Sequence, residues 1–86
     1  ISNCSWCSLF NLVTLNIANN RIIEIEVLGF KNLTKLLILS LENNHIKLLD
    51  KEIFIDLASI FFLNLNNNNL KVIKNNTFKY LKQIQD

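Results

Sequence analysis

LVTLNIANNRIIEIEVLGFKNLTK (residues 12–35), LLILSLENNHIKLLDKEIFIDLAS (36–59) and IFFLNLNNNNLKVIKNNTFKYLKQ (60–83) lie end to end and share one pattern with a period of 24 residues. Seven columns are apolar in all three copies: Leu12, Leu36, Ile60; Leu15, Leu39, Leu63; Ile17, Leu41, Leu65; Ile22, Ile46, Leu70; Ile25, Leu49, Ile73; Phe30, Phe54, Phe78; and Leu33, Leu57, Leu81. With half the chain apolar, agreement at all of these positions by chance comes to roughly one in two million before the choice of register. The phase continues outward. Ile1, Trp6 and Leu9 fall one period before Ile25, Phe30 and Leu33, and Ile84 falls one period after Ile60. Residues 1–11 are therefore expected to be the end of a preceding repeat or a partial cap, and 84–86 the start of a next repeat, in a slice of a longer parent.

Each column has a physical role. Residues 14–18, 38–42 and 62–66 alternate with the period of a strand, turning Leu15 and Ile17 and their equivalents inward. One strand per period stacks only on its own copies. That predicts a parallel sheet on one face of a solenoid, with the rest of each period returning behind it and filling the core with the Ile25, Phe30 and Leu33 columns. An Asn column, Asn20, Asn44 and Asn68, follows the strands where the chain turns away. An amide carries both donor and acceptor groups, so a ladder of them can satisfy backbone groups that the turn leaves beside the core.

The pattern resembles the typical extracellular class of leucine-rich repeats, whose consensus LxxLxLxxNxIxxIxxxxFxxLxx matches residues 12–35 almost position for position. The resemblance covers essentially the whole chain. It implies an α/β-type repeat solenoid, a curved leucine-rich-repeat arc with a concave parallel sheet and short irregular or 3₁₀ segments on the convex side. It also implies binding as the function, since the family serves Toll-type innate immune receptors, guidance and adhesion proteins, matrix proteoglycans and secreted immune proteins. The usual binding face of the family maps onto the residues that alternate with the buried leucines.

Those outward columns are Thr14, Ile38, Phe62; Asn16, Ser40, Asn64; Ala18, Glu42, Asn66; Asn19, Asn43, Asn67; and Arg21, His45, Asn69. Ile38 and Phe62 are apolar neighbours across repeats and form a candidate anchor, because exposed aromatics often dominate binding energy. Asn16, Ser40, Asn64, Glu42 and Asn66 are candidate polar contacts, and Arg21, Glu42 and His45 supply the charged or titratable chemistry. A compositional bias toward Asn accounts equally well for the amides, and a lone exposed His needs no function.

Three N-x-Ser/Thr acceptors, Asn3, Asn32 and Asn75, fall on the returning side of the repeat and off the sheet, where glycans leave a binding face clear. Cys4 and Cys7 can bond each other, stay as thiols or bond partners elsewhere. A zinc site wants four ligands, and a redox pair wants a helix N-terminus, so neither chemistry is expected of this CxxC. In the resembling family such cysteines belong to an N-terminal cap, and inserted cysteines between repeats are an equal alternative.

The remaining features exclude more than they assign. Nine Lys or Arg against seven Asp or Glu are interspersed, so no basic stripe exists for a nucleic-acid backbone. The apolar runs at 36–41 and 58–63 are far short of the roughly 20 residues that cross a bilayer, so no membrane contact is expected of this segment. Gly29 is the sole glycine, which leaves no phosphate-cradling loop, and no motif sets a nucleophile beside a base. The expectation is a non-enzyme without cofactor or metal, extracellular, recognising a protein ligand or co-receptor while stacked on neighbouring repeats of its parent. An intracellular scaffold and a structural spacer are the alternatives.

Overall fold

The structure, a computed structural model, describes residues 1, 4–9 and 11–70. Three strands, β1 (Thr14–Asn16), β2 (Ile38–Ser40) and β3 (Phe62–Asn64), form one parallel sheet in the order β1-β2-β3. Thr14 pairs with Ile38 and Ile38 with Phe62, so equivalent positions of successive repeats sit side by side. Register is fixed because a slip of one residue would turn every inward leucine to solvent. A repeat stack with a parallel sheet is thus present, and among the described residues the return segments are turns and one short 3₁₀ helix, Lys51–Phe54.

The alternation in the sequence runs two residues beyond each strand. Pairing of a looser kind continues there: Ile17 N–H donates to the Ser40 carbonyl at 3.0 Å and Asn19 N–H to the Glu42 carbonyl at 2.9 Å. Just past the strands of the first and third repeats, the Asn16 and Asn64 side chains accept the N–H two residues on. Asn19, Asn43 and Asn67 then take left-handed φ values of 60°, 59° and 59°, turning the chain out of line.

Behind the sheet the middle repeat is closed on both sides. Leu36, Leu39, Leu41, Ile46, Phe54, Leu57 and Ile60 are all fully buried, joined by Ile25, Phe30, Leu33, Leu49 and Ile53. The equivalents in the outer repeats, Leu12, Leu15, Ile17, Ile22, Leu63, Leu65 and Leu70, pack on this core while only half-buried. Burial in this architecture comes from the neighbouring repeat, so a repeat with a partner on each side buries most. Trp6 stacks on Phe30 with centroids 5.6 Å apart and planes 12° apart, extending the aromatic column. The further column positions Ile73, Phe78 and Leu81 lie outside the described residues.

The return turns repeat as well. Gly29 N–H donates to the Glu26 carbonyl at 2.8 Å, as Ile53 N–H does to the Asp50 carbonyl at 3.0 Å one period later. Asp50 is short enough for its Oδ1 to accept the Glu52 N–H at 2.9 Å, which caps the 3₁₀ helix. Gly29 stands where the next repeat has Ile53. A Cβ there would lie 3.0 Å from Ile25 Cγ2 and 3.1 Å from both the Glu26 carbonyl and Ile1 Cγ2, so close approach accounts for the glycine.

Candidate functional site

The outward side of the sheet is built by the same alternation that fills the core. Its first column holds Thr14, Ile38 and Phe62, with Phe62 39% exposed and Ile38 half-buried beside it. Val13, Leu37 and Phe61 run immediately alongside, tied by Leu37 N–H to the Val13 carbonyl at 2.8 Å and Phe61 N–H to the Leu37 carbonyl at 3.0 Å. Val13 and Phe61 are exposed too, so the apolar strip at the start of the strands is wider than the Ile38 and Phe62 pair.

The middle of the face is polar. Asn16 Oδ1 accepts the Ala18 N–H at 3.1 Å, and Asn64 Oδ1 accepts the Asn66 N–H at 3.0 Å. These two residues therefore spend an acceptor on their own backbone, and their amide N–H groups are what remain for a ligand. Ser40 is half-buried between them. Glu42 is half-buried in the next column, and its Oε1 is shielded from solvent with no hydrogen-bond partner. Arg21 and His45 are exposed at the far edge, where His45 N–H donates to the Ile22 carbonyl at 2.8 Å.

Two amide ladders run beneath and beside this face. In the inner one Asn44, 3% exposed, donates Nδ2 to the Leu41 carbonyl at 2.9 Å and the Ile17 carbonyl at 3.1 Å, while its Oδ1 accepts the Ile22 N–H at 3.1 Å. Asn68 repeats the arrangement on Leu41, Leu65 and Ile46. Exposed Asn20 makes the local bonds, to the Ile17 and Ala18 carbonyls. The outer ladder passes between side chains: Asn43 Nδ2 donates to Asn19 Oδ1 at 2.8 Å and Asn67 Nδ2 to Asn43 Oδ1 at 2.9 Å.

Sequence reasoning grouped Asn19, Asn43 and Asn67 with the variable outward columns. The column in fact repeats one residue three times, and left-handed φ is the reason, since Asn tolerates it far better than most residues. The signal was present in the sequence and was obscured by how common Asn is along the chain.

Away from the sheet, Cys4 and Cys7 form a disulfide with their Cα atoms 4.7 Å apart, and the described residues include no free cysteine. The bond closes a turn that is held to the stack by Cys4 N–H on the Leu28 carbonyl at 2.9 Å. Asn32 is exposed on the returning side with φ 72°; its N–H donates to Asp56 Oδ2 at 2.9 Å and its Nδ2 to the Cys7 carbonyl at 3.3 Å. The other two glycosylation candidates, Asn3 and Asn75, lie outside the described residues. Among the described residues no group of three or more His, Cys, Asp or Glu is placed to hold a metal ion, and no helix is long and apolar enough to cross a membrane.

An open hollow of about 370 Å³ is lined by Ile1, Trp6, Ile17, Asn20, Arg21 and Ile22. Ile17 and Ile22 are the equivalents of the fully buried Leu41 and Ile46, so this hollow lies against core columns of the first repeat, and Arg21 is its one contribution from the outward columns. A family model described as leucine rich repeat matches residues 10–70. No curated protein matches the chain.

Proposed function

Because the chain belongs to the leucine-rich-repeat family, whose domains generally mediate protein–protein interaction and are typically non-catalytic, we propose that the outward face of its sheet is the recognition surface for a protein partner. The observation that carries this reading is a contrast between columns. Core positions keep their apolar character from repeat to repeat, whereas Thr14, Ile38, Phe62 and Ala18, Glu42, Asn66 change chemistry at each step while remaining accessible. A core cannot vary so; a surface that discriminates between partners can.

In this reading the sheet is the concave face of an arc in a receptor ectodomain or a secreted immune or adhesion protein. Two features support an extracellular setting: the Cys4–Cys7 disulfide, a bond that persists in oxidising compartments, and the exposed Asn32 acceptor on the side away from the sheet. The mass of the native product is expected to fall on enzymatic removal of N-glycans; an unchanged mass points instead to an intracellular scaffold.

The recognition test compares two variants of the full protein against a panel of ectodomains and secreted proteins. Ile38→Ser combined with Phe62→Ser is expected to weaken binding to a partner by about tenfold or more, since a buried anchor contributes roughly 2 kcal/mol. Leu48→Ser, which alters a 65% exposed residue of the return segment, is expected to leave it unchanged. Unchanged binding in a folded Ile38→Ser, Phe62→Ser protein makes these repeats a spacer.

A further inference from the structure

Five described residues adopt a left-handed backbone, and four of them are the asparagines Asn19, Asn32, Asn43 and Asn67. Cys4, at φ 59°, is the exception. Asparagine tolerates that region, whereas the Cβ of a cysteine is crowded by the following carbonyl oxygen, so the backbone at Cys4 is strained. Strain of this kind persists only where the surroundings impose it. Here they are a tight turn closed by the Cys4–Cys7 disulfide.

The turn is tied to the first repeat without help from its sulfurs. Cys4 N–H donates to the Leu28 carbonyl at 2.9 Å, Asn32 Nδ2 to the Cys7 carbonyl at 3.3 Å, and Trp6 between them stacks on Phe30. A disulfide stabilises a fold mainly by restricting the unfolded chain, and one that joins residues three apart restricts it least. Strain at Cys4 offsets that small gain. The bond therefore adds little to the fold, and its two ends differ in access, Cys4 being exposed and Cys7 half-buried. Among the described residues the one helix, Lys51–Phe54, lies two repeats further on, so no helix N-terminus arms this pair to attack other disulfides. It is a target of exchange.

We propose that Cys4 is a site of reversible S-thiolation by a small thiol of the glutathione class, with Cys7 as the resolving thiol. The incoming thiolate attacks the Cys4 sulfur in line with the S–S bond. A new S–S bond forms at Cys4 while the old one breaks, its electron pair leaving on Cys7 as a thiolate that takes a proton from water. Two steps can follow. The Cys7 thiolate attacks back at Cys4 and expels the small thiol, restoring the bond, or a second small thiol attacks the mixed disulfide, leaving both cysteines reduced and the two small thiols joined. Opening lets Cys4 leave the left-handed region, while Trp6 stays seated on Phe30.

In the test the oxidised full chain is incubated in graded mixtures of reduced and oxidised glutathione, quenched with iodoacetamide and mapped by tandem mass spectrometry. In the mixed-disulfide fraction glutathione is expected on Cys4 and the alkyl group on Cys7, about tenfold or more over the reverse. The equilibrium constant for reduction is expected to lie within about threefold of its value in concentrated urea, since the gain from the ring and the strain at Cys4 cancel. Emission of Trp6, the sole tryptophan, stays at its folded value throughout. Glutathione on Cys7 as often as on Cys4 overturns the assignment. So does an equilibrium constant about tenfold or more below the urea value, the mark of a bond that holds the fold, or Trp6 emission that moves to its urea value on reduction.

Discussion

Phe54→Ala is expected to lower the unfolding free energy by about 3–5 kcal/mol. Phe54 is fully buried in the middle repeat, within the 3₁₀ helix and among core residues supplied by the sheet and the return segments. Truncation removes its apolar contacts and leaves a cavity that the flanking repeats fill only by shifting out of register. At roughly 0.05–0.15 kcal/mol per residue, a chain of this length has about 4–13 kcal/mol in all, so the loss takes a large share. Phe62→Ala alters the same residue type at a 39% exposed position and is expected to cost about 1 kcal/mol or less. Urea midpoints measured on both proteins decide the matter: equal midpoints would contradict the division into core and recognition columns.

Asn44→Ala is expected to cost about 2–4 kcal/mol, although only an amide is lost. Its Oδ1 takes the Ile22 N–H and its Nδ2 serves the Leu41, Ile17 and Glu42 carbonyls, at a place 3% exposed where water does not substitute. Asn43→Ala, one residue earlier, breaks two exposed amide contacts and puts alanine at φ 59°, a cost of about 1 kcal/mol that comes from the backbone. Asn43→Gly removes the same contacts without that clash. A denaturation midpoint for Asn44→Ala no lower than that for Asn43→Ala would remove the inner ladder from the account.

The period was legible because it is enforced by contact. Leu39, Leu41 and Ile46 each meet equivalents from the adjacent repeats, so a polar residue in any of these columns would be buried without a partner. Asn44 was legible for the complementary reason, that a turn beside the core needs donors and acceptors together. The outer ladder was hidden, since three asparagines in a chain rich in Asn carry little information until the left-handed φ of Asn19, Asn43 and Asn67 is known. The mutual bonding of Cys4 and Cys7 likewise depends on a turn geometry that cysteine counting does not contain.

The candidate site was legible only as a face. Alternation separates Ile38 and Phe62 from Leu39 and Leu63, but the unsatisfied state of Glu42 depends on how the side chains of three neighbouring repeats settle against one another. Which partner covers the face is recorded by no column, because the repeated positions encode packing.

Hydroxyl-radical footprinting with and without a bound protein partner tests the central claim most directly, since it reports side-chain accessibility without altering any residue. The account predicts that Phe62, Phe61 and His45 lose reactivity on binding while exposed Leu48, Leu28 and Ile55 of the return segments keep theirs. Protection of Leu48, Leu28 and Ile55 with Phe62 and His45 unchanged would contradict it and move recognition to the opposite side of the stack.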